Sequence, residues 1–153
     1  MFWQHPPIIK IYEALGAVAD GRVHLDGDTA KVYSSSGNKY YDVQYDAESG
    51  AIMTNDNGSY WKGYLGYPAI AYLLAVGALD YRADLAALLK GVKWKDLNQK
   101  HKNDFEKTLA EIESGLESEE SERLAAYVQE LSAVIEKLKL KHLGQKKLPP
   151  EGY

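Results

Sequence analysis

Apolar positions along the chain change period twice. After Pro6-Pro7, Ile8, Ile11, Tyr12, Leu15 and Val18 recur at three- and four-residue spacing, and Asp20-Gly21 supplies a stop, so one short amphipathic helix is predicted. Alternation then takes over. Val23 and Leu25 alternate with Arg22, His24 and Asp26, Asp26-Gly27-Asp28 interrupts, and Ala30 and Val32 alternate with Lys31 and Tyr33, which reads as a hairpin. Ser35-Ser36-Gly37-Asn38 breaks the chain before Tyr41, Val43 and Tyr45, and Glu48-Ser49-Gly50 separates that run from Ala51 to Thr54. Four short strands with turns between them predict an antiparallel meander, one face of which covers the first helix.

From Pro68 the period becomes helical again. Ala69 to Val76 is apolar almost all round, as a helix buried between a sheet and other helices would be, and Gly77 closes it. Asp84 to Lys90 carries Leu85, Leu88 and Leu89 and ends at Gly91. Leu97, His101, Phe105, Leu109, Ile112 and Leu116 form the stripe of one longer helix; Leu124, Val128, Leu131, Ile135 and Leu138 form the seam of a second, with Ser118 as its N-cap. The prediction is a single α+β domain over 1–143. Within it, 5–77 form an N-terminal helix on a four-stranded antiparallel meander plus the apolar helix. Residues 78–143 form an extension ending in a helical hairpin, and 144–153, with Lys146-Lys147 and Pro149-Pro150, form a flexible tail.

Composition narrows the function classes. The chain has 153 residues, 45% of them hydrophobic, enough for one buried core. The absence of cysteine excludes a disulfide framework, a thiolate zinc site and a cysteine nucleophile, and points to a cytoplasmic setting. No apolar run reaches the roughly 20 residues of a bilayer span, and Gln4, His5, Pro6 and Pro7 stop the Met1-Phe2-Trp3 start from forming a signal-peptide core. A net charge of -4 argues against broad electrostatic attraction to nucleic acid or anionic lipid.

The strand Tyr41 to Tyr45, a second strand through Ile52, a polar loop, and a helix opening Gly66-Tyr67-Pro68-Ala69-Ile70 resemble the layout of a SWIM-type zinc finger. In that family a hairpin carries a Cys-x-Cys pair and a Cys-x-His pair opens the following helix. Met53 and Asn55, or Thr54 and Asp56, stand near the first pair, and Gly66 and Pro68 at the second. Glycine and proline offer no ligating side chain, so the resemblance implies a metal-free derivative in which core packing replaces zinc, with a protein- or nucleic-acid-binding role. The remainder is similar to small uncharacterised prokaryotic proteins with a helical C-terminal extension.

The most distinctive chemistry lies in Asn57 to Tyr67. Glycines admit close approach, and Tyr60, Trp61, Tyr64 and Tyr67 offer flat faces with polar edges, with Lys62 adding a charge. This segment is read as a recognition loop for a protein partner, with nucleic acid second; the competing reading has the aromatics capping the sheet and packing over the apolar helix. Two rivals belong to other classes. Asp26, Asp28 and Asp56 converging on one pocket would indicate a carboxylate-dependent hydrolase or transferase, and the bipolar charge of the helical hairpin would suit self-association. The histidines show no metal-binding spacing, and no phosphate-cradling motif is present, so no cofactor or metal is expected.

Overall fold

The computed structural model describes residues 1–151. Helix α1 (Ile8–Ala19) starts after Pro7 and buries Ile11, Tyr12 and Leu15 of the predicted stripe together with Ile9, Ala14 and Ala17, while Ile8 and Val18 are only partly buried. Strands β1 (Val23–Asp26), β2 (Thr29–Tyr33), β3 (Tyr40–Asp46) and β4 (Ala51–Thr54) follow. They pair antiparallel in sequence order, with Val32 opposite Val23 and Tyr41, and Val43 opposite Ala30 and Thr54. A five-residue π turn (Gly58–Lys62) leads into α2 (Tyr67–Ala75).

The order of packing differs from the sequence-based expectation. Helix α2 is the element that touches all four of these strands, and α1 packs chiefly on α2 rather than on the sheet. Both helices are deeply buried, Pro68 to Leu74 in α2 and Ile11 to Ala17 in α1: α2 fills the space against the sheet, and α1 is covered on its other sides by further helices.

The sheet is mixed and has five strands, not four. Strand β5 (Lys141–His142) lies parallel to β4, with Ala51 opposite Lys141 and Ile52 opposite His142. Its two residues carry no apolar alternation; backbone bonds hold them, from Lys141 N to Gly50 O (3.0 Å), Leu143 N to Ile52 O (3.2 Å) and His142 N to Met1 O (2.9 Å). Trp3 completes this edge by donating from Nε1 to Ile52 O at 2.9 Å and stacking on His142 with ring centroids 3.8 Å apart.

The helical extension also departs from expectation. A short α3 (Ala83–Ala86) runs into a 3-10 turn (Ala87–Leu89). The stripe read as one helix from Leu97 to Leu116 is two, α4 (Trp94–Lys100) and α5 (Phe105–Ser114), broken where Lys102 and Asn103 take positive φ and Asp104 caps α5 by accepting from Lys107 N. The long α6 (Ser118–Leu138) packs chiefly against α1 and α3 through Leu124, Tyr127, Val128, Leu131 and Ile135 instead of forming a hairpin with the preceding helix. Tyr127 pins it there: its hydroxyl donates to Asp80 O at 2.6 Å and accepts from Arg82 N at 2.9 Å. No helix of the described residues is long and apolar enough to cross a membrane. Of the expected tail, Gly152 and Tyr153 lie outside the described residues; Lys146 Nζ reaches Tyr60 O at 3.2 Å.

Candidate functional site

The segment after β4 is organised by Asp56, which is buried. Its Oδ1 accepts from Thr54 Oγ1 at 2.7 Å and Ser59 Oγ at 2.8 Å, and its Oδ2 accepts from Ser59 N at 3.1 Å. Ser59 Oγ in turn accepts from Gly66 N at 3.0 Å, so one carboxylate ties together the end of β4, the π turn and the start of α2. A Cβ on Gly66 would overlap the Asp56 carboxylate, which is why the chain carries glycine there.

This knot splits the aromatic–glycine loop into two groups. Tyr60, Trp61 and Lys62 stand outward: Trp61 is 67% exposed, with the Tyr60 ring edge-on at 4.7 Å. The chain then reverses at Gly63, whose φ of 78° favours glycine, and Gln4 N and Leu65 N close the return through bonds to Gly63 O and Gln4 O. Tyr64 and Tyr67 turn inward, Tyr64 against Gly58 and Tyr67 edge-on to Tyr41 with centroids 5.9 Å apart. The five predicted site residues therefore do not form one surface.

Tyr67 and Tyr41 line a cavity of about 370 Å³ between α1, the β2–β3 turn, the π turn and α4. Burial pushes both phenols well above their ordinary range, with nearby Asp56 and Glu13 adding to the effect, so at neutral pH they are hydrogen-bond donors. From α1 come Lys10 and Glu13, an ion pair at 2.8 Å with both side chains largely buried. Burial works against the Lys10 charge, but Glu13 and Tyr64 outweigh it and leave the amine above its ordinary value. Arg22 enters from the residue before β1, donating from Nε to Asp20 Oδ2 at 3.0 Å and from Nη1 to Tyr33 O at 2.7 Å. Helix α4 forms the remaining wall with Trp94, Lys95 and Asn98; Lys95 N donates to Ser35 Oγ at 3.1 Å, which fixes the helix over the β2–β3 turn.

Sequence reading singled out Tyr67, Asp56 and, within a lysine run, Trp94 and Lys95, but not Arg22, Glu13, Lys10 or Asn98 as parts of one site. One signal was available: a Lys and a Glu three residues apart on a helix that is otherwise apolar mark buried charge in want of company. The convergence itself is spatial and leaves no spacing to read. The carboxylates of the hydrolase reading do not meet. Asp26 and Asp28 are exposed at the β1–β2 turn, Asp26 lining a groove on the outer face of the sheet, whereas Asp56 faces the inner cavity. Among the described residues no three His, Asp or Glu side chains are grouped to hold a metal ion.

A family profile described as Uncharacterised conserved protein UCP014422 matches residues 3–141. No curated protein and no solved structure matches the chain.

Proposed function

This chain belongs to the family of the uncharacterised conserved protein UCP014422, whose matched segment contains every residue lining the cavity, and we propose that it is a non-catalytic binding protein that takes a small polar molecule there. The supporting observation is a cavity of about 370 Å³ walled by the Lys10–Glu13 pair, Arg22, buried Tyr41 and partly buried Tyr67. That volume lies within the roughly 300–1,000 Å³ of small-molecule sites, and such walls fix a ligand's orientation through a few placed polar groups. Binding is favoured over catalysis because the carboxylates are engaged, Glu13 with Lys10 and Asp56 in three hydrogen bonds. The metal-free SWIM-like reading fits alongside: the Asp56 knot joins the segments that zinc ligands would join in that family.

The test is a thermal-shift screen of the full chain against small polar metabolites, repeated with Gln99→Trp, which places bulk at the cavity rim from an exposed position. Ligands that raise Tm in the parent and not in the variant are expected. A screen in which no compound acts, or in which every hit acts equally on the variant, would remove the cavity from the reading.

A second reading follows from the outward group. Trp61 is 67% exposed beside Tyr60 and Lys62, an arrangement suited to a protein partner first and to stacked nucleic-acid bases second.

A further inference from the structure

Three polar atoms on side chains that line the cavity are buried without a hydrogen-bond partner: Arg22 Nη2, Trp94 Nε1 and Asn98 Oδ1. Their burial makes this expensive, because a desolvated donor with no acceptor loses the water it had when unfolded and gains nothing in return. Two of the three sit four residues apart on α4, hence on one face of that helix. The third belongs to a guanidinium already fixed on its other two nitrogens by Asp20 and Tyr33, and Asp20 is itself anchored by accepting from Gly91 N at 2.8 Å. Arg22 is thus held in one orientation with one N–H edge unused, the arrangement that recognises an oxyanion at little entropic cost. Trp94 Nε1 can only donate. A Cβ on Gly16 would come within 2.7 Å of that nitrogen, so the indole edge is seated against α1 by the lack of a side chain there.

Lys95 adds charge to the same wall. Burial and the neighbouring Lys39 hold its amine down to about 8. Against these donors stand the acceptors Asn98 Oδ1 and the Glu13 carboxylate.

We propose that the cavity is an oxyanion site: it binds a small organic phosphate or carboxylate that also carries a hydrogen-bond donor, with Arg22 Nη2, Trp94 Nε1 and Lys95 on the oxyanion and Asn98 Oδ1 on the donor. The inference rests on the cavity reading above and assigns the chemical class of its ligand.

The experiment is calorimetric titration of the full chain near neutral pH with inorganic phosphate, with aspartate and with the neutral nucleoside uridine, on the parent, Trp94→Phe and Lys95→Gln. Trp94→Phe keeps an aromatic ring and the net charge while removing the indole N–H with its pyrrole ring, so it separates a built site from diffuse attraction to lysines, provided that its Tm shows the fold intact. Binding of phosphate or aspartate is expected, weakened about tenfold or more by either substitution, as loss of a bond to a charged group is. Saturation by phosphate alone identifies a phosphate ester as the class, and by aspartate alone a carboxylate. Anion binding that is equal in the parent and Trp94→Phe overturns the proposal. Binding of uridine that Gln99→Trp abolishes, with neither anion bound, overturns it while leaving the cavity as a ligand site; no binding by any probe, together with an empty thermal-shift screen, removes both.

Discussion

Asp56 shows how one side chain can be both visible in a sequence and misread there. Beside Asn57-Gly58 it has the appearance of a turn residue or a free carboxylate, yet it is buried and its three bonds make it a structural clamp. Ser59→Ala deletes a donor to that carboxylate and strands the buried Gly66 N–H, and a loss of about 2–4 kcal/mol in chemical denaturation is expected. Gly66→Ala is expected to be destabilising as well, by about 1–3 kcal/mol, because the carboxylate its Cβ meets cannot swing away without breaking those bonds. Trp61→Ala should leave stability within about 0.5 kcal/mol of the parent, since the ring is mostly in water; a larger loss in the thermal transition would place Trp61 in the core. Lys95 gives the residue-scale pH signature of the oxyanion site. Its free-state amine titrates near 8 and a bound anion favours its charged form, so phosphate affinity should fall as pH rises through that value, and Lys95→Gln should flatten the profile.

Elements with a strong period were legible, and elements made by backbone bonding were not. Ile8 to Val18 repeat over three turns, so α1 is unambiguous, and β2 and β3 alternate between turn residues. Strand β5 escapes because Lys141 and His142 are paired through their main chains, and the break between α4 and α5 escapes because Leu97, His101 and Phe105 keep a helical spacing across it. His142 makes the β5 edge sensitive to pH. Burial, with Lys146 and the N-terminal ammonium nearby, lowers its pKa below the ordinary 6.5, so the folded chain holds fewer protons there than the unfolded one. The sign is therefore fixed: this site makes no difference to stability well above pH 6.5, and stability falls as pH drops below that value. The measurement is Tm against pH, with His142→Phe expected to lose that part of the slope while keeping a ring against Trp3.

At the scale of the molecule, the α+β class and the central place of the apolar helix could be read from hydrophobicity alone, because a helix apolar on every side has nowhere else to go. Which helix closes over it could not, since α6 finds α1 through residues about a hundred positions away in sequence and α3 through residues about forty away. Leu131 sits in that seam, 2% exposed, and Leu131→Ala should cost about 2–5 kcal/mol in denaturant unfolding. The placement of α2 between the sheet and α1 also sets the order in which the molecule would come apart. Amide protons of Ile70 to Leu74 lie beneath every layer that could open locally, so under deuterium labelling they should exchange last and only with global unfolding, while α4, one wall of the ligand cavity, exchanges early through partial openings that leave the cavity floor intact.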